Sequence, residues 1–278
     1  MMKSVVIASA VRTPIGKMGG VLKDILPEDL SVVVIKEALK RANLSGEEID
    51  EVIFGQTKQS ADAPNIARFA ALRAGLPEEV PAYTVHRQCG SGLQAINNAI
   101  QQIMCGFSDI VVAGGTESMS NAHYYLRGAR FGYQAGNGLL LDSNTESQPN
   151  SQPSEIYGNF NMGLTAENLA EKYNISREEQ DEFALRSHKK AVEAMEEGRF
   201  DSEIVEVLVP QKKGKVLSVT QDETPRKDTS IEKLAKLKPV FKEKGTVTAG
   251  NSSSRSDGAS ALVIMSSDKA KELGVEPL

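Results

Sequence analysis

The chain has 278 residues, a formal net charge of −5, 40% hydrophobic residues and 25% charged residues. That is an ordinary soluble globular balance, long enough for one large or two modest domains. The charge argues against a nucleic-acid partner, which calls for a basic excess, but leaves room for an anionic small molecule at a local basic patch. The two cysteines, Cys89 and Cys105, have no metal-site spacing and make no disulfide framework, so a reducing cytoplasm is expected. The apolar stretch at 5–8 is too short for a signal segment or a membrane span.

In chain order, residues 5–8 read as a buried strand and Arg12-Thr13-Pro14-Ile15-Gly16 as a turn. Residues 30–42 place Leu30, Val33, Val34, Ala38 and Ala42 at helical spacing. A strand at 51–54 and a helix at 65–74 follow, then a strand at 83–85. The next helix, 93–104, sets Leu93, Ile96, Ile100 and Ile103 inward, and a strand occupies 110–113. Short apolar strands separated by helices predict a sheet covered on both faces.

The middle of the chain differs. Residues 131–153 are rich in Gly, Asn, Ser and Gln and read as a long surface loop. A helix at 165–173 is followed by Ser176-Arg177-Glu178-Glu179, a capping box opening a helix that runs to Gly198. Phe183, Ala184, Ala191 and Met195 are expected to be buried on it, with His188 on its solvated face. Residues 204–209 and 216–219, joined through Lys212-Lys213-Gly214, predict a hairpin. The basic run 226–244, broken by acidic residues, reads as solvated surface, and 246–248 and 261–265 as buried strands. The expected organisation is a layered α/β core of residues 1–118 and 246–278, with an inserted α+β loop domain at 119–245.

Cys89 stands where strand becomes helix, in Val85-His86-Arg87-Gln88-Cys89-Gly90-Ser91-Gly92. The positive end of a helix dipole favours an anion, so a thiol there becomes more thiolate. Gly90 and Gly92 leave room for a substrate to reach the sulfur. Two other readings compete: a structural cysteine, and a dinucleotide fingerprint in Gly90-x-Gly92-x-x-Ala95 with Asp109 as its acidic residue. Asp109 precedes the strand at 110–113, whereas the fingerprint places its carboxylate at the end of the second strand. Cys105, closing the same helix, is expected in the core.

The motifs Arg12-Thr13-Pro14-Ile15-Gly16-Lys17, Cys89-Gly90-Ser91-Gly92 and Gly114-Gly115-Thr116-Glu117-Ser118-Met119-Ser120 continue with Met162-Gly163-Leu164-Thr165-Ala166-Glu167 and Ser176-Arg177-Glu178-Glu179-Gln180-Asp181. Thr248-Ala249-Gly250-Asn251-Ser252-Ser253 and Asp257-Gly258 close the series. Together they resemble the N-terminal half of a thiolase, an acetyl-CoA acetyltransferase or 3-ketoacyl-CoA thiolase. A ketoacyl synthase also uses an N-terminal cysteine nucleophile, but Met162-Gly163 and Thr248-Ala249-Gly250-Asn251 favour thiolase.

The resemblance implies the thiolase fold, with a loop domain that binds coenzyme A, and an acyltransferase of fatty acid metabolism. Two acetyl-CoA would condense to acetoacetyl-CoA, or the reverse thiolysis would run, through an acyl thioester on Cys89. Acyl-CoA thioesters enter as substrates, and no cofactor is bound permanently. Arg226 aligns with an arginine near the nucleotide end or is an exposed loop charge, Ser253 aligns with a serine at the pantetheine amide, and Met162 borders the pantetheine channel or packs in the core. Phe241 lines the same pocket or belongs to the core. A homodimer or homotetramer, cytoplasmic and without a membrane or nucleic-acid partner, is implied.

The sequence also departs from the family. His86 replaces a frequent asparagine, Asn161 a histidine of some members, and Ser254-Arg255-Ser256 a smaller, more apolar stretch; His123 stands where a proline is common. The family takes its general base from a Gly-His-Pro motif and a second cysteine from a Cys-x-Gly motif. Neither occurs in these 278 residues. The expectation is therefore a chain lacking the C-terminal half, or a natural half-length protein that binds coenzyme A or a subunit without catalysis.

Overall fold

The alternation of strand and helix is present in the computed structural model, which describes residues 2–278. In chain order the elements are β1 (Val5–Arg12), β2 (Gly16–Lys17), α1 (Pro27–Ala42), β3 (Glu51–Gly55), α2 (Ile66–Ala74), β4 (Ala82–Val85), α3 (Ser91–Cys105) and β5 (Ile110–Ser118). Next come β6 (Tyr124–Leu126), β7 (Leu140–Asp142), α4 (Ser143–Glu146), α5 (Ser154–Tyr157), α6 (Met162–Tyr173) and α7 (Arg177–Glu196). The chain closes with β8 (Val207–Pro210), β9 (Val216–Val219), α8 (Ile231–Ala235), β10 (Ser256–Ser266) and α9 (Ser267–Leu273).

These elements form two units. The first holds the described residues through Asn121, Phe200–Glu223 and Ser256–Leu278; the second holds Ala122–Arg199 and Thr224–Arg255.

In the first unit the sheet order is β1-β10-β5-β3-β4, with β2 also paired to β10. β3 runs parallel to β4 and β5, and β10 antiparallel to β5, β1 and β2. Successive side chains of a strand point to opposite faces, and both faces are filled. Val52, Phe54, Val112, Val263 and Met265 pack with Leu30, Val34, Ile35 and Ala38 of α1 and with Ile66, Ala67 and Ala70 of α2. Ile53, Val111, Ala113 and Ile264 pack with Ala95, Ala99 and Ile103 of α3. Burial on both faces explains why these strands read as continuous apolar runs. Each fully buried Ile, Val or Phe side chain contributes about 1.5–3 kcal/mol, so this double-sided core is the principal stabilising feature of the unit.

Local signals set the helix ends. Pro27 occupies the first turn of α1, where a missing N–H does no harm. Asn65 caps α2 by accepting from the Arg68 amide at 3.2 Å, and the capping box of Ser176 and Glu179 opens α7 as expected.

The domain boundaries differ from the expectation. Residues 200–223, assigned to the insertion, belong with the sheet: Val207, Val209 and Val219 of the β8–β9 hairpin are buried in its core, and the Arg12 amide donates to the Glu203 carbonyl at 2.9 Å. Residues 246–255, assigned to the core, belong with the second unit. Val247 and Thr248 are buried as predicted, but 246–248 is not a strand. A single bridge joins Thr248 to Pro239, because Glu167 on α6 takes up the Thr246 and Val247 amides and the Asn251 side chain that of Thr248.

On α7 the predicted apolar face is also corrected. Phe183 is 64% exposed, Ala184, Ala191 and Met195 are half-buried, and Asp181 is the buried residue of the helix. A highly charged helix packed on the short α8 has little apolar surface to turn toward. The Phe183 ring is covered instead by the Arg186 guanidinium, 5.3 Å from its centroid. Among the described residues no helix is long and apolar enough to cross a membrane.

Candidate active site

Cys89 lies in the turn between β4 and α3, with its thiol free and exposed. The turn is tied closely. The Gly90 amide donates to the Arg87 carbonyl at 3.1 Å and the Ser91 amide to the Gln88 carbonyl at 3.0 Å. The Ser91 hydroxyl donates to the Gln88 carbonyl at 2.6 Å and accepts from the Arg87 amide at 2.8 Å. Gln88, directly before the cysteine, has a φ of +48°, a left-handed conformation uncommon for a residue with a β-carbon. These bonds hold it there, and the chain reverses from strand to helix within a few residues with the sulfur at the bend.

Glycines set the height of this turn above the sheet. A β-carbon on Gly55, at the end of β3, would lie 2.4 Å from the Ser91 carbonyl carbon and 2.5 Å from the Gly92 nitrogen. One on Gly115 would lie 3.0 Å from the Gly55 carbonyl oxygen and 3.3 Å from the Gly92 α-carbon. The start of α3 therefore rests on bare backbone. A β-carbon on Gly92 would meet only the Gly114 carbonyl oxygen, at 3.9 Å, and one on Gly90 only the Arg87 carbonyl oxygen, at 3.4 Å, so the close approach depends on Gly55 and Gly115. The inward face of α3 is made of small residues, Ser91, Ala95 and Ala99, ending in Ile103. Leu93 is 65% exposed, and Ile96 and Ile100 are half-buried, because large side chains do not fit between the helix and a glycine-lined strand end. Cys105 falls off the inward face and is exposed, not in the core.

The flank of α3 is fastened by polar contacts. Asn98 donates to the Tyr83 hydroxyl at 3.1 Å and Gln102 to the Glu51 carboxylate at 3.3 Å. Burial pushes up both the Glu51 carboxyl, against the Gln102 hydrogen bond, and the Tyr83 phenol, against the Asn98 hydrogen bond.

The other sequence motifs of this unit hold one another in place. Glu117 accepts from the Thr57 amide at 2.9 Å and the Lys58 amide at 3.1 Å, fixing the loop after β3. Asp257 is fully buried and accepts from the Ser120 amide at 2.9 Å and the Ser118 hydroxyl at 3.2 Å. Thr13 accepts from the Ala259 amide at 3.0 Å. Arg12 binds Asp222 through both terminal nitrogens, at 2.7 and 3.0 Å, and Glu203 at 2.6 Å. Sequence reasoning assigned none of these carboxylates a role, although Glu117 and Asp257 lie inside quoted motifs.

The other predicted site residues belong to the second unit. Met162 begins α6 and is 60% exposed. Phe241, half-buried, stacks on the adjacent Gly163, where a β-carbon would come within 2.3 Å of its ring. These two are thus brought together. Ser253 is exposed and ends a loop anchored from within. The buried Glu167 accepts from the Thr246 and Val247 amides, each at 2.9 Å. The buried Asp181 accepts from the Asn251 amide nitrogen at 3.0 Å, and Asn251 in turn accepts from the Thr248 amide at 2.7 Å. Arg226 is exposed, with two 3.3 Å contacts to Asp228.

Three histidines occur in the chain. His86 and His123 are exposed, and the His188 ring accepts a backbone hydrogen bond from Arg226. Among the described residues no group of His, Cys, Asp and Glu is arranged to hold a metal. A shallow groove along α7, lined by Leu185, Lys189, Lys190 and Ile231, contains none of the predicted site residues.

A family model described as "Thiolase, N-terminal domain" matches residues 5–268. A "Probable acetyl-CoA acyltransferase" of Staphylococcus aureus (strain COL) is 50% identical over 277 residues, a match covering 100% of this chain and 70% of that relative. The crystal structure of the Bacillus anthracis acetyl-CoA acetyltransferase superposes with a TM-score of 0.95 at 48% identity, covering 100% of this chain and 69% of that one. The human mitochondrial 3-ketoacyl-CoA thiolase superposes with a TM-score of 0.92 at 42% identity, covering 99% and 69%.

Proposed function

Because this chain belongs to the thiolase family, through the N-terminal domain, we propose that it is an acyl-CoA acyltransferase whose nucleophile is Cys89. The observation that carries this reading is an accessible thiol at the head of a fifteen-residue helix, in a turn held by four hydrogen bonds. The Cys89 sulfur adds to the carbonyl carbon of an acyl-CoA, the carbon–sulfur bond to coenzyme A breaks, and coenzyme A leaves as its thiol. A base then removes an α-proton from a second acetyl-CoA. The resulting carbanion attacks the acyl thioester, the Cys89–acyl bond breaks, and a 3-ketoacyl-CoA is released as Cys89 regains its proton. With two acetyl-CoA the product is acetoacetyl-CoA, and the reverse course is thiolysis. A thioester suits the task because it exchanges readily and leaves an electrophilic carbonyl. The Cys89 amide is one donor for its oxygen.

Arg226, Ser253, Met162 and Phe241 are assigned to coenzyme A, the arginine at the phosphate-bearing end and the other three along the pantetheine arm. No resident cofactor enters this chemistry. His86, His123 and His188 lie outside any Gly-His-Pro motif, and Cys105 outside any Cys-x-Gly motif. The general base and second thiol are therefore assigned to residues other than these, and the active form to a cytoplasmic homodimer or homotetramer. The same missing motifs favour one second reading, a non-catalytic protein that binds coenzyme A or a partner subunit.

Mass analysis of peptides after incubation with acetyl-CoA tests the first reading. An acetyl group on Cys89 and none on Cys105, abolished by Cys89→Ser, is the expected result. Absence of acetyl transfer to Cys89, both here and in an assembly supplied with the Gly-His-Pro and Cys-x-Gly motifs, overturns it. Without the general base, condensation by the 278-residue chain alone is expected to be slower by roughly 10²–10⁴. Full turnover by that chain would eliminate the non-catalytic reading.

A further inference from the structure

Arg226 is held from behind by α7. Its backbone N–H donates to Nδ1 of His188 at 3.1 Å, and the next residue, Lys227, pairs with the carboxylate of Glu196. His188 and Glu196 stand eight residues apart, within one broad face of the helix, so the two fasten successive residues of the 226–228 segment. The guanidinium itself is free to move: its side chain is 66% exposed and its partner Asp228 61% exposed, at 3.3 Å. Such an exposed pair is weak. An incoming phosphate can displace Asp228, whereas the backbone position of Arg226 is set by the imidazole. Lys189, beside His188, and Lys190 line the groove shared with Ile231, so further positive charge lies on the helix that holds the segment.

We propose that His188 is a positioning residue for coenzyme A, an inference that rests on the assignment of Arg226 to the phosphate-bearing end. A neutral imidazole protonated on Nε2 presents Nδ1 as the acceptor. It fixes the backbone at 226, so that the guanidinium meets the ligand without the segment having to be ordered at the moment of binding. His188 acts through Arg226 and touches no reacting atom.

Calorimetric titration of the 278-residue chain with coenzyme A and, separately, with pantetheine tests this. A single net hydrogen bond corresponds to a roughly two- to tenfold change in affinity. His188→Ala is expected to weaken coenzyme A by that factor and to leave pantetheine, which has no phosphate-bearing nucleotide, unchanged. His188→Asn retains a side-chain acceptor and is expected to restore coenzyme A affinity to within about twofold. Arg226→Ala should weaken coenzyme A at least as much, and adding His188→Ala to it should cost little more, since both act through one contact.

Unchanged coenzyme A affinity in His188→Ala, an equal loss for pantetheine, or failure of asparagine to rescue overturns the positioning role. If Arg226→Ala leaves coenzyme A affinity intact, or the unmodified chain does not bind coenzyme A, the assignment of Arg226 itself fails. If Arg226→Ala weakens binding while His188→Ala is silent, only the positioning role is lost.

Discussion

Gly55 and Ser91 meet backbone to backbone: a β-carbon on the glycine would come within 2.4 Å of the serine's carbonyl carbon. The end of β3 therefore determines where α3 starts, and with it where Cys89 is held. Because the obstructing atoms are main chain, the conflict is relieved only by moving the helix start.

Gly55→Ala is expected to destabilise the protein by about 1–3 kcal/mol, the usual cost of overpacking, and to change the rate at which iodoacetamide alkylates Cys89. Gly90→Ala adds a methyl group that meets only the Arg87 carbonyl oxygen, at 3.4 Å, at a φ of −86° and should cost less than about 1 kcal/mol. Urea unfolding and timed alkylation of the two variants check this. Equal behaviour would show that the glycine contact does not govern the turn.

Arg12 joins Glu203 and Asp222 to the end of β1. Burial works against its charge, but the two carboxylates outweigh that and hold the guanidinium above its ordinary range. Arg12→Ala should cost about 1–3 kcal/mol, the worth of hydrogen bonds to a charged group reduced by partial solvent screening. Arg12→Lys should recover only part of this, because an ammonium cannot make the paired contact with Asp222. Thermal unfolding of both variants decides the matter.

Glu167 accepts from two successive amides, those of Thr246 and Val247, and is itself 3% exposed. Glu167→Gln loses negative charge and puts donors where acceptors are needed. The expected cost is about 1–3 kcal/mol, and limited proteolysis should cut residues 246–255 faster in the variant. Unchanged protection of that loop would assign its order to Asp181 and Asn251 instead.

The pH dependence has two opposing parts. Hydrogen bonds from Lys3 and Ser266 depress the Asp109 carboxyl, and one from Arg41, reinforced by Lys40, depresses Glu37 against the effect of burial. A depressed carboxyl stabilises the fold above its ordinary pKa, and that contribution fades as pH falls through its folded value, here below about pH 4. Glu51 has the opposite sign. Burial raises its pKa, so the folded form binds a proton more readily, and its contribution weakens as pH rises through the raised value. Asp109→Asn should flatten the acid limb of stability, and Glu51→Gln should raise stability near neutral pH. Urea midpoints between about pH 3 and pH 7 check both signs.

Local pattern in the sequence was sufficient for β1, α1, β3, α2, β4, α3, β5 and β10, though not for β2 or α9, and for the capping box at Ser176, the hairpin around Gly214 and the turn that carries Cys89. Each depends on neighbours within a few residues, where periodicity and capping chemistry act. Tertiary structure decided what depends on distant partners. Leu93 looked inward by spacing alone, yet the glycines at 55 and 115 bring the sheet so close that the small Ser91, Ala95 and Ala99 lie beneath α3 until Ile103 near its end. The hairpin of 207–219 joined the sheet because its valines found that core, and 246–255 joined the second unit because Glu167 and Asp181 took up its polar groups. His188, an unremarkable polar position on a charged helix, became a partner of Arg226 only when the chain folded back across a separation of 38 positions. A hydrogen bond between residues so far apart in the chain leaves no periodic trace in the sequence, so only the fold brings it to light.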